Sequence, residues 1–186
     1  MALGKRTVKW IIYWNAVFAV VVLGLGASMY LNRFHRFDQL IVYTARENML
    51  DPRLVTSVIW SESRFDPTQV GSSGEIGLMQ VTETAAREWA DAVKNPSFKK
   101  QDLFDPATNL QAGCWYLSRA VAYWSEQDNV RDPLPYALAE YNAGRTNARR
   151  WAEQNPESAR DFWAGITYPT TKKYIADILQ RYRGGV

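Results

Sequence analysis

Between Lys9 and Arg33 the sequence carries no charged residue. As a helix, residues 10–31 would extend roughly 33 Å at 1.5 Å per residue, enough to cross the hydrocarbon core of a bilayer. Trp10, Tyr13 and Trp14 stand at one end and Tyr30 at the other, the positions that aromatic side chains favour at the two membrane interfaces. Asn15 is the only strongly polar interruption, and it falls near the edge. Small residues from Gly24 to Ser28 leave a cleaved signal peptide as the alternative. The apolar run is longer than a signal's usual apolar region, so it reads as an uncleaved anchor. Lys5, Arg6 and Lys9 precede it and Arg33 and Arg36 follow, a narrow bias toward a cytoplasmic N-terminus.

This segment also explains the charge. The 186 residues carry a net +3, which tempts one to expect a polyanion ligand. Five of the 22 basic residues and none of the 19 acids lie in residues 1–36, so the remainder holds 17 against 19, a net −2. The basic character belongs to the flanks of the anchor, and no nucleic-acid role follows from it. A single cysteine, Cys114, forms no internal disulfide and no metal cluster. It falls on the stripe Leu110–Cys114–Leu117–Val121 and reads as a small buried hydrophobe. The single histidine, His35, sits beside the anchor, which argues against a histidine-based catalytic set in the folded part. No glycine-rich phosphate loop occurs, so no cofactor is expected, and chemistry is left to carboxylates, hydroxyls, amides and tyrosines.

After residue 37 the spacing predicts helices over 38–49, 52–63, 83–93, 106–127, 133–143, 146–154, 157–164 and 170–183. Asp51-Pro52, Asp105-Pro106 and Asp132-Pro133 each set a capping carboxylate before a proline at the first helical position. Residues 64–82 break the pattern with Gly71, Gly74 and Gly77 spaced by three, an irregular loop or short β element. The expected fold class is mainly α, a single helical domain with one special loop.

Glu62 is the most informative ionisable residue. It follows Val55 by seven residues, Val58 by four and Ile59 by three, which sets it on the apolar stripe of its helix beside the glycine loop. Position alone leaves two readings: a desolvated carboxyl able to donate a proton, or a structural glutamate tied to backbone or to Arg64.

Glu62-Ser63, then Phe65-Asp66-Pro67, Gly74 to Gln80, Asn109-Leu110, Gly113, Tyr116-Leu117 and Glu140 to Gly144 follow one another in an order that resembles the lytic transglycosylases. The resemblance spans residues 38–180 and implies a lysozyme-like α+β fold acting on bacterial peptidoglycan. It implies cleavage between N-acetylmuramic acid and N-acetylglucosamine, with Glu62 as general acid and then general base. The muramoyl C6 hydroxyl would close a 1,6-anhydro ring, with the sugar's own acetamido group in place of a second catalytic carboxylate. By the same resemblance Ser63, Met79, Gln80, Tyr141, Asn142 and Tyr174 are substrate-binding candidates: Ser63 as a hydrogen-bonding neighbour of Glu62, the Met79 thioether packing on sugar, the Gln80 amide bonding to it. No metal is implied. Read from the residues alone, Tyr141 fits a core stripe and Asn142 a helix end.

Four positions depart from the family pattern: Gly71 in place of serine, Glu75 and Glu140 in place of alanine, and Thr170 in place of a glutamate. Glu75 and Glu140 would add negative charge near the cleft or face solvent. Trp60, Trp89, Trp115, Trp124, Trp151 and Trp163 read mostly as core, and Arg145, Arg149 and Arg150 as a solvated basic face that alternatively meets anionic polymer. The expected organisation is a cytoplasmic tail at 1–9, a transmembrane anchor at 10–31 in the cytoplasmic membrane, a linker at 32–37 and a domain at 38–186 on the periplasmic or outer side. A lysozyme-type hydrolase and a non-catalytic glycan-binding component of envelope machinery are the competing readings.

Overall fold

The computed structural model describes residues 5–153 and 159–184. The chain divides into two compact units, Met1–Asp38 and Gln39–Val186. In the first, helix α1 (Lys5–His35) contains the whole uncharged run and extends beyond both of its ends. Its apolar side chains stay accessible: Trp14 is 61%, Phe18 69% and Leu23 72% exposed. A helix of a globular protein buries one stripe, whereas one that is apolar on every side is suited to lipid. Among the described residues this is the one helix long and apolar enough to cross a membrane. Asn15 donates to the Ile11 carbonyl at 2.7 Å, so the polar interruption is satisfied within the helix. The Tyr30 side chain and residues 1–4 lie outside the described set.

From Asp38 onward the chain forms α2 (Asp38–Glu47), α3 (Pro52–Glu62), α4 (Glu83–Ala92), a 3-10 helix (Lys100–Phe104), α5 (Pro106–Ser125), α6 (Leu134–Ala143), α7 (Arg145–Glu153), α8 (Ala159–Gly165) and α9 (Pro169–Gly184). Two of the three Asp-Pro signals start helices as expected. Asp51 accepts from the Arg53 N–H at 2.8 Å and Asp105 from the Thr108 N–H at 2.9 Å, each with proline opening the helix. The third starts one residue late. Asp132 splits its carboxylate between the Leu134 N–H at 3.1 Å and the Arg183 guanidinium at 2.7 Å, and α6 begins at Leu134. The 3-10 helix is absent from the sequence reading because five residues carry no periodicity; Asp102 fastens it by accepting from the Lys99 N–H at 2.8 Å. The expected start of the helix at 157–164 lies outside the described residues.

α5 runs through the core, with Leu110, Cys114 and Leu117 fully buried, and packs against α4 and α6. Burial pushes the Cys114 thiol up to about 12, consistent with an inert packing residue. Trp89, Trp124 and Trp151 are core, whereas Trp60 and Trp115 are half-buried and Trp163 is exposed, so the core reading holds for three of the six. α9 packs against both α3 and α6 and so draws the three helices together.

The segment between α3 and α4 is a folded loop with isolated antiparallel bridges from Ile76 to Val70 and to Val81. Gly77, at φ +80°, explains the need for glycine there: a Cβ would fall on the Asn109 amide and come 2.8 Å from the Leu103 carbonyl. Gly113 serves the same closeness from the other side, since a Cβ on α5 would meet the Met79 sulfur at 2.6 Å.

Candidate active site

α3 ends on Glu62, directly after an inner face on which Val55, Val58 and Ile59 are fully buried. The helix register therefore carries the carboxylate inward at the point where the chain turns into the loop. Tyr174, from α9, donates its phenol to Glu62 Oε1 at 2.6 Å. Among the described residues no lysine or arginine pairs with Glu62. Arg64 adopts φ +51° and lies with its guanidinium 5.6 Å from the Trp60 ring centre, so the alternative of a glutamate tied to Arg64 is not the observed arrangement. Burial pushes the Glu62 carboxyl up to about 7; the Tyr174 hydrogen bond works against burial, and the charge of Glu75 works with it.

Two phenols face this carboxyl. Tyr141, from α6, donates to the Met79 carbonyl at 2.8 Å and meets Tyr116 edge to face at 5.9 Å. Burial, followed by the nearby Glu62 charge, holds both Tyr141 and Tyr174 well above the ordinary phenol value. Both remain neutral donors.

The six expected binding residues separate into two groups. Gln80, Tyr141 and Asn142 line one cavity of about 210 Å³ together with Thr82, Glu88 and Tyr116. Gln80, at φ +47°, spends its amide N–H groups on the Gln69 and Gly77 carbonyls at 3.1 and 3.0 Å. Asn142 is exposed, and its Oδ1 accepts from the buried Thr171 hydroxyl at 2.7 Å. Tyr174 is bonded to Glu62, as above. Ser63 and Met79 are placed differently from expectation. The Ser63 hydroxyl, 3% exposed, donates to the Leu78 carbonyl at 2.8 Å and ties the loop to α3. The Met79 side chain has no accessible surface and packs against Gly113 and Cys114, so the thioether does not reach a sugar; its backbone, held by Tyr141 and Asn109, is what it gives to the site.

Glu140 lies at the same cavity as Gln80, Tyr141 and Asn142, near the expected cleft and away from solvent. It is fully buried, with Oε1 taking the Arg145 guanidinium at 2.7 Å and Oε2 accepting from the Trp124 indole at 2.9 Å. Arg145, with its side chain still 40% exposed, thereby turns its guanidinium onto Glu140.

Asn109 is the residue that sequence reasoning missed. Fully buried on α5, it donates to the Ile76 carbonyl at 2.7 Å and the Leu103 carbonyl at 3.0 Å, and accepts from the Met79 N–H at 2.9 Å. One side chain thus satisfies three buried backbone groups of the loop and the 3-10 helix. The available signal was an amide at a position of the apolar α5 stripe. No group of His, Cys, Asp and Glu suited to hold a metal occurs among the described residues. The arrangement suits proton transfer: a desolvated carboxyl with a neutral phenolic donor on one oxygen.

The Transglycosylase SLT domain family matches residues 39–163. Membrane-bound lytic murein transglycosylase F of Desulfosudis oleivorans is 33% identical over 117 residues, 63% of this chain and 24% of that protein. Membrane-bound lytic murein transglycosylase C of Yersinia enterocolitica is 31% identical over 149 residues, 78% of this chain and 40% of that protein. The chain therefore spans between a quarter and two fifths of the length of these curated relatives. Among solved structures, an inactive mutant of lytic transglycosylase Slt from Pseudomonas aeruginosa superposes with a TM-score of 0.68 at 24% identity, over 77% of this chain and 23% of that one.

Proposed function

The chain belongs to the transglycosylase SLT family, and we propose that it is a membrane-anchored lytic transglycosylase that cuts peptidoglycan at the bond between N-acetylmuramic acid and N-acetylglucosamine. The observation that carries this reading is the Glu62 carboxyl: desolvated, bonded by Tyr174 on one oxygen, and unpaired with any cation among the described residues. With Tyr174 on Oε1, Oε2 bears the proton and delivers it to the glycosidic oxygen as the C1–O bond breaks. The acetamido group of the sugar stabilises the centre at C1. Glu62, now ionised, takes the proton of the muramoyl C6 hydroxyl as that oxygen bonds to C1. The 1,6-anhydro ring closes, Glu62 regains its proton, and no water is consumed.

Gln80, Tyr141 and Asn142 form the wall on which the glycan lies, while Ser63 and Met79 hold that wall from behind. Residues 10–31 cross the cytoplasmic membrane, 1–9 remain in the cytoplasm, and 32–37 lead to the domain at 38–186 outside, where the glycan is.

The test is mass spectrometry of the fragments released from purified sacculi. Anhydro-muramoyl ends support the reading, reducing ends replace it by a lysozyme-type hydrolysis, and no fragments at all point to a non-catalytic glycan-binding protein. Glu62→Gln is expected to bind sacculi and release nothing.

A further inference from the structure

Trp115 and Tyr116 are neighbours on α5 and open onto different cavities. Successive residues of a helix project about 100° apart. Tyr116 meets Tyr141 and lines the cavity shared with Gln80 and Asn142, whereas Trp115 lines a second cavity of about 290 Å³ formed by α2, α4 and α5. The same division holds on α4: Glu88 belongs to the first cavity, Trp89 and Val93 to the second. One ion pair joins the two. The Arg119 guanidinium lies 3.6 Å from the Glu88 carboxylate and 4.5 Å from the Trp115 ring centre, so a single side chain touches the lining of both cavities. Glu88 and Arg119 are each about half exposed, and a pair of that kind is weak enough for a ligand to cross.

The second cavity is lined by groups that the fold leaves unused. Tyr43, on α2, is 61% exposed, and Trp115 is half-buried with Arg119 stacked on its ring. The Tyr43 hydroxyl, the Trp115 indole N–H and the exposed Gln111 amide make no hydrogen bond among the described residues. Asn48 donates its amide to the Thr44 carbonyl at 2.9 Å and keeps its side-chain oxygen as an acceptor. Two amphipathic rings with a few amide groups form the kind of lining that holds a ligand by one apolar face and orients it by its polar edge. The lining carries one carboxylate, Glu47, and no lysine or arginine, so an anionic polymer or lipid headgroup finds no cation there. An uncharged pyranose fits both requirements: its C–H face suits the rings, and its hydroxyl and acetamido groups suit the amides.

We propose that the cavity between Tyr43 and Trp115 is a second sugar-binding site, which takes an N-acetylhexosamine unit of the glycan strand lying in the cleft, the strand crossing the Glu88–Arg119 pair. The proposal rests on the cleft being the glycan site. It makes binding depend on strand length, because a short fragment fills one cavity and a long one spans both.

The experiment uses the full chain carrying Glu62→Gln, in a zwitterionic detergent free of sugar headgroups, titrated with chitobiose and chitohexaose. Calorimetry gives the affinities, and the nitrogen-15 resonance of the Trp115 indole, assigned by its loss in Trp115→Phe, reports the second cavity. Chitohexaose is expected to shift that resonance and to bind about tenfold more tightly than chitobiose, the scale of one or two added hydrogen bonds. Tyr43→Ala and Gln111→Ala, both at exposed positions where substitution costs the fold little, should each cut that ratio to about threefold or less. A Trp115 resonance that chitohexaose leaves unmoved overturns the site while keeping the cleft, and so does a ratio that both variants preserve. Failure to bind either sugar overturns the site and the proposed function together. A Trp115 resonance that moves, in a protein whose Glu62-bearing parent cuts no sacculi, keeps the site and overturns the proposed catalysis instead.

Discussion

Glu62 and Glu140 each lie on the inner side of a helix, and their surroundings are opposite. Glu140 has no exposure and meets a guanidinium and an indole N–H, so both oxygens are satisfied. Glu62 has only a phenol, and burial pushes its carboxyl up to about 7. The same residue type in the same kind of place becomes a structural tie when a cation is supplied and a proton reservoir when one is withheld. What decides between them is the partner, not the depth.

The contrast is broken most directly at Glu62 itself. Glu62→Gln should lower sacculus cleavage by about a thousandfold, the range for loss of a general acid, with the circular dichroism spectrum unchanged. Arg145→Met should do the reverse. It strands a buried carboxylate, and urea unfolding should register a loss of about 3 kcal/mol, most of which returns when Glu140 is replaced by leucine in the same protein. Retained stability in the single variant would mean that Glu140 is not held as an ion pair.

Smaller effects concern the proton. Folding raises the Glu62 carboxyl from an ordinary 4.5 to about 7. Between those values the native state binds more protons than the unfolded state, so this group makes the parent less stable as pH rises through that window. Glu62→Gln lacks the penalty and should gain on the parent across the window, by at most about 3 kcal/mol at its upper end, in urea melts run at each pH. The smallest change expected is that of Tyr174→Phe. Its hydrogen bond favours the ionised carboxylate, so its removal should move the alkaline limb of cleavage upward, read from the pH profile of sacculus digestion.

The helices and the inward placement of Glu62 were legible because both are written in local spacing. Asp51 and Asp105 cap within three residues, and Glu62 continues a stripe begun seven residues earlier. What escaped depends on distant partners. Asp132 shares its carboxylate with Arg183 of α9, a partner 51 residues away. The pairing of Glu140 escaped because Arg145 lies at i+5, off the usual helical neighbours, and Trp124 comes from another helix. The direction of the Met79 side chain was unreadable because the loop has no regular period, so adjacency to Gln80 says nothing about which side chain faces the cavity. Asn109 was quoted only as part of a motif, since its partners stand 6, 30 and 33 residues away.

The fastening by Asn109 has a consequence for hydrogen exchange. The Met79 amide proton points at a side chain of the central helix, not at water. It can exchange only when the first turns of α5 open, so it inherits the protection of the core although it belongs to a loop. The wall of the cleft and the centre of the domain should therefore open as one cooperative unit, leaving the exposed tip at Ser72 free to exchange on its own.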